Sequence, residues 1–160
     1  MQGGGMELEP EGPEDWWEVE ALYDLCFAPG REALSSYRLR DDVAPISALC
    51  RLGRDEGAVV CAIRAWPVRI GRAGAALVGP VAVHPIRQGE GLGALMLADL
   101  AARAEAAGWG RLLLVGDLPY YGRIGFQRLD GVEMPPPTNP DRILGRGDWG
   151  GIAGAVTRWA

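Results

Sequence analysis

A chain of 160 residues with 48% apolar and 23% charged side chains is long enough to bury a real core, and it reads as one soluble domain over residues 1–160 with residues 1–5 a frayed end. Its net charge of −5 argues against a broad nucleic-acid footprint, and all 16 basic residues are arginine, so no lysine can act as base, Schiff-base former or phosphate ligand. Cys26, Cys50 and Cys61 lie apart in apolar surroundings without zinc-type spacing, and no leader-like or membrane-length apolar run occurs; free buried thiols, no metal, no membrane partner and a cytoplasmic location are expected.

In chain order, residues 6–9 are a short first strand. Residues 13–27 carry helix signals: Pro13 with Glu14 and Asp15 suits a first turn, and Trp17, Ala21, Leu22, Leu25 and Cys26 recur at helical spacing. Pro29-Gly30 stops this helix. Trp16-Trp17 reads as core or lid packing, or as a ligand platform. Residues 31–40 form a second short helix ended by Asp41-Asp42, and two helices ahead of a sheet would wall one side of a cleft. Strand-like stretches follow at 46–51, 58–70 and 75–83, with turns at 54–57 and 71–74. They predict an antiparallel meander packed on both faces.

Residues 91–107 are the next helix, with Leu92, Leu95, Met96, Leu100 and Ala104 on one side, an Asp99/Arg103 pair, and Gly108 as stop. Residues 111–115, RLLLV, are a buried strand parallel to the earlier one. A short helix at 120–124, a strand from 125 to 129, a rigid loop at 134–140 and a last strand at 150–159 complete the chain.

The stretch that carries chemistry is Leu77 to Ala94, LVGPVAVHPIRQGEGLGA. A strand enters a loop with Gly89, Gly91 and Gly93, and a helix follows at once. Amides at such a loop point one way, and the helix dipole adds partial positive charge, which makes a seat for phosphate. A nucleoside-triphosphate loop would need Gly-Lys-Ser/Thr and has no lysine. A dinucleotide loop needs GxGxxG within a βαβ unit, whereas the spacing here is GxGxG after an antiparallel meander; a nucleotide-binding oxidoreductase is accordingly the weaker reading. The third pattern, Gln/Arg-x-x-Gly-x-Gly/Ala, is met by Gln88, Gly91 and Gly93.

With that loop, the sequence resembles the GNAT superfamily of acetyl-CoA-dependent N-acetyltransferases. Val81-Ala82-Val83-His84-Pro85 looks like the family's splayed fourth strand, and Tyr120-Tyr121-Gly122-Arg123-Ile124-Gly125-Phe126 like its second signature after the fifth strand. The match is good over residues 58–129. Val115-Gly116-Asp117 and the Pro-rich tail look like an uncharacterised bacterial subgroup. The resemblance implies a mixed, mostly antiparallel α/β sheet with helices on both faces and a splayed parallel strand pair at a CoA slot. It implies that Gln88, Gly89, Glu90, Gly91, Leu92, Gly93 and Ala94 hold the pyrophosphate through backbone amides. The edge formed by Val81, Ala82 and Val83 would pair with the pantetheine arm. Tyr121 would lie near the sulfur and protonate the leaving thiolate as general acid.

The implied reaction is direct acetyl transfer from acetyl-CoA, as co-substrate, to a primary amine of a small molecule or peptide in a ternary complex, by a monomer or homodimer. A catalytically inactive acyl-CoA-binding module is the alternative, because residues 73–83 carry no carboxylate for the base that the family often places there. Asp117 is the best-placed carboxylate, as base or as helix cap. His84, before Pro85, is read as structural. Arg87 and Arg123 lie near the proposed phosphates and touch them or face solvent.

Overall fold

The β-branched and aliphatic runs of the middle of the chain pair into one sheet, and the computed structural model describes residues 6–27 and 35–159. Strand β1 is Leu8–Pro10, β2 Arg51–Asp55, β3 Ala58–Ile70, β4 Ala73–Val83, β5 Arg111–Val115, β6 Gln127–Arg128, β7 Val132–Glu133, β8 Ile143–Gly147 and β9 Gly154–Arg158. The helices are α1, Trp16–Cys26, α2, Leu92–Ala106, and the four-residue α3, Leu118–Tyr121. The order across the sheet is β1-β2-β3-β4-β5-β8-β6, with β9 on β3 and β7 on β9. The meander β2-β3-β4 is antiparallel and β4-β5 is parallel, as expected for the sequence.

Alternate residues of the sheet face opposite layers. Ala76, Val78, Leu112 and Leu114 pack with Leu92, Met96, Leu97 and Leu100 of α2. On the other face Ala62 and Ala82 meet Val19, Leu22 and Tyr23 of α1, while Ala75, Leu77 and Leu113 meet the C-terminal segment through Val132, Ile143 and Val156. β4 and β5 are therefore apolar on both sides, which is why their pattern runs nearly unbroken.

Several expectations need correction. The phase of α1 differs from the sequence reading: Trp17 is 79% and Leu25 56% exposed, and the buried set is Val19, Leu22 and Tyr23. Trp16, not Trp17, turns inward, because its ring stacks on the Arg64 guanidinium at 3.7 Å; neither tryptophan lines the site described below. On α2, Leu97 is buried where Leu95 was expected. The strand expected at 46–51 is a 3-10 turn at Ser47–Leu49, closed by the Cys50 amide on the Ser47 carbonyl, and β2 begins only at Arg51. Residues 35–40 are a 3-10 turn; the start of that helix expected at 31–34 and the Pro29-Gly30 stop expected for the helix before it lie outside the described residues, as do residues 1–5. The strand expected at 125–129 is the short β6, and the last strand is confined to β9.

Strands β7 and β8 were not anticipated. In β8 the sequence ILGRG hides a strand behind two glycines that packing demands. A Cβ at Gly145 would fall 2.6 Å from Trp149 Nε1, and one at Gly147 only 2.1 Å from the Gly110 carbonyl oxygen.

Candidate active site

The site starts where the parallel pair stops. β4 and β5 are in register only at Ala76/Leu112 and Leu77/Leu113, after which they part. Opposite, β3 stays paired with β4 out to Cys61/Val83. Residues 78–83 consequently keep one edge paired and leave the edge toward β5 without a strand, as an added extended chain would need.

A bulge shapes that edge. Between Ile63/Val81 and Ala65/Val78, the single residue Arg64 of β3 faces two on β4, Gly79 and Pro80. Gly79 sits at φ +134°, open only to glycine without strain. Both bulge carbonyls are held from outside the sheet. Arg40 Nη2 donates to the Gly79 oxygen at 3.1 Å and the Tyr23 hydroxyl to the Pro80 oxygen at 3.0 Å. Behind the bulge, Arg64 pairs with Glu11 through two bonds of 3.0 and 2.8 Å and also with Glu20.

Past β4 the chain turns into α2. The His84 amide donates to the Val60 carbonyl at 2.7 Å, and its Nδ1 accepts from the Ile86 amide at 3.2 Å, so His84 caps the turn at Pro85–Arg87. The Arg87 and Gln88 amides donate to the His84 and Pro85 carbonyls, whereas the amides from Gly89 to Ala94 make no backbone bond among the described residues. Gly89 and Gly91 have φ of +87° and +80°, and Gly91 caps α2 without a side-chain bond. The first turn of α2 thus offers donors and dipole to an anion. Arg87 is already neutralised by Glu90 at 2.8 Å and Asp55 at 2.7 Å. Arg123 donates to the Pro119 carbonyl at 3.2 Å and makes no ion pair with a described residue.

A groove of about 580 Å³ lies here, lined among others by Val81, Val83, Gln88, Gly91, Tyr120 and Arg123. Gly89, Leu92 and Gly93 also line it, while the side chains of Ala82, Glu90 and Ala94 do not; Ala82 faces α1. A Cβ at Gly93 would sit 2.7 Å from the Tyr120 hydroxyl oxygen, so glycine here lets the Tyr120 ring lie close over the start of α2.

A second cavity of about 170 Å³ lies inside the parted strands, between β4, β5 and the 35–40 turn. Val81 and Tyr121 line both spaces and mark their junction. The Tyr121 ring is edge-on to Tyr120 at 4.9 Å and to Phe126 at 6.0 Å. Burial pushes its phenol above the usual tyrosine range, with a smaller push from Tyr120. The group therefore stays protonated at neutral pH. The ring fits because residue 116 lacks a side chain: a Cβ on Gly116 would meet Tyr121 Cε2 at 2.4 Å. Gly116→Ala is expected to push the Tyr121 ring out of this position, and the NMR signals of that ring would report the shift.

Asp117 is exposed at the start of α3, its side chain caps nothing, and it lines neither cavity. Tyr37 and Arg40, which line the inner cavity, carry no role in the sequence reading. Only the expectation that the 31–40 segment walls a cleft pointed toward them. Among the described residues no cluster of metal-ligating side chains occurs and no helix is long and apolar enough to cross a membrane.

No protein-family model and no curated protein sequence matches the chain. Solved structures do. A GNAT family acetyltransferase from Brucella melitensis in complex with acetyl-CoA is 28% identical with TM-score 0.71, covering 98% of this chain and 97% of its own. The GNAT family N-acetyltransferase YhbS from Escherichia coli in complex with CoA is 21% identical with TM-score 0.82, covering 97% and 91%. N-acetylglutamate synthase from Neisseria gonorrhoeae, complexed with coenzyme A and N-acetyl-glutamate, is 20% identical with TM-score 0.62 over 90% of this chain and 35% of its own. The fold of this chain, with its parted parallel pair and a glycine loop at the head of α2, is that of these GNAT family acetyltransferases.

Proposed function

We propose that this protein is an N-acetyltransferase that moves the acetyl group of acetyl-CoA to a primary amine of a small molecule or peptide by direct attack in a ternary complex. The observation that carries the reading is the continuity of the phosphate-type groove with the inner cavity, Tyr121 standing at their junction. The amides from Gly89 to Ala94 take the pyrophosphate, and the free edge of Val81 to Val83 takes the amide-bearing arm. Acetyl-CoA supplies the activated acyl carbon. The amine nitrogen bonds to that carbon, the carbon–sulfur bond breaks, and Tyr121 gives its proton to the departing thiolate. The amine's proton leaves to water, since the described lining of the inner cavity holds no carboxylate. A covalent cysteine route is disfavoured: burial raises the pKa of all three thiols, and Cys26 donates to the Val83 carbonyl.

The same missing carboxylate favours a second reading, an acyl-CoA-binding module without turnover. Incubation with acetyl-CoA and an amine panel, following free thiol, separates the two: thiol release supports the enzyme, and binding with no release for any amine supports the module. Tight NAD(P) binding without affinity for CoA would sink both. Within the groove, Arg123→Gln is expected to weaken acetyl-CoA binding about five-fold at low salt and less at high salt, while Arg87→Gln, whose charge is already paired, changes it far less. Titration calorimetry at two ionic strengths checks this.

A further inference from the structure

The inner cavity carries a sign. Its described lining is apolar or aromatic through Phe27, Tyr37, Leu77, Leu114 and Tyr121, contains no acidic side chain, and includes one charged group, Arg40. Arg40 is incompletely satisfied. Nη2 donates to the Gly79 carbonyl, the guanidinium lies 3.7 Å from the Tyr37 ring centre and 5.0 Å from that of Trp66, and Nε is buried with no partner. It makes no ion pair with a described residue. Its neighbour Arg64 shows the contrast, with Glu11 and Glu20 both paired to it. An arginine half-removed from water without a carboxylate is held at a cost that an anion in the cavity would offset. Burial also pulls the Arg40 pKa down, in keeping with an uncompensated charge.

We infer that the acceptor is a small amine that also bears a carboxylate, an amino acid with an apolar side chain, and that Arg40 reads this carboxylate. The inference rests on the acetyltransferase reading and narrows its substrate. In this arrangement the amine points to Val81 and Tyr121, where the two cavities meet, and the carboxylate lies toward Arg40 on the wall made by the 35–40 turn. A polycationic acceptor is disfavoured, because the wall would repel it and offers no described acid to pair with it.

The test compares common amino acids with their amides and decarboxylated amines, using wild type, Arg40→Gln and Arg40→Lys, with acetyl-CoA affinity measured separately. Wild type is expected to prefer the carboxylate form. Arg40→Gln should raise KM for it roughly 30-fold, as loss of a charge-assisted bond does, and raise KM for the matching amide only a few-fold. KM for acetyl-CoA should hold, and Arg40→Lys should recover part of the loss. A wild type that prefers amides or decarboxylated amines overturns the inference, as does an Arg40→Gln effect equal for acid and amide, which would mean that Arg40 only props the bulge through Gly79. Absence of acetyl-CoA binding, or binding without turnover of any amine, instead overturns the acetyltransferase reading on which the inference stands.

Discussion

Replacing Tyr121 with phenylalanine is expected to lower kcat roughly 100-fold while leaving the KM for acetyl-CoA nearly unchanged, the scale usual for loss of a positioned general acid. The change removes one oxygen and keeps the ring, so the contacts with Tyr120, Phe126 and the space over Gly116 persist. The hydroxyl makes no bond to a described residue that folding would miss. A thiolate expelled into the junction would then lack the Tyr121 proton. The pH dependence follows in sign. A general acid works while protonated, and burial holds this phenol above its ordinary value of 10.0. Tyr121 should therefore produce no alkaline fall in kcat below that value, and any rise at lower pH reports deprotonation of the amine. If Tyr121→Phe kept full kcat, the general-acid role would be lost and the tyrosine would be a packing residue.

Arg64→Leu is expected to destabilise the fold by about 3–5 kcal/mol, the range for breaking one side of a buried ion pair. Arg64 is only 1% exposed, and the side chain of its bidentate partner Glu11 only 5%. Leucine leaves that carboxylate buried without its cation. It also removes the platform under Trp16 and lies directly opposite the Gly79-Pro80 bulge. Chemical denaturation followed by tryptophan fluorescence would read the loss. The mechanism makes a second demand: adding Glu11→Gln to Arg64→Leu should recover part of the stability, because the stranded charge is what hurts. A double variant no more stable than the single one would place the loss in packing around Trp16 instead.

Much of the backbone around the candidate site was legible because it is local. Gly89, Gly91 and Gly93 need positive φ or an absent side chain, the helix begins where a phosphate seat needs it, and Tyr120 to Phe126 follow one strand later. β3 falls at 58–70 as its apolar run predicts. The base was not legible, and Asp117, the best carboxylate by position, turns to solvent.

What the chain determined by itself, then, is whatever depends on neighbours a few residues apart: the glycine loop, the helix after it, the meander and the paired tyrosines. Contacts across the fold decided the rest. α1 took its phase from Arg64, which lies far along the chain and draws Trp16 inward in place of Trp17. β8 became a strand because β5 offered an open edge, although Gly145 and Gly147 weaken its pattern. The inner cavity exists only because β4 and β5 part after two registers and the 35–40 turn packs beside the gap, bringing Arg40 to the Gly79 carbonyl. Local spacing encodes dihedral angles and helix faces, whereas the identity of the side chain across a gap depends on strand order and long-range packing.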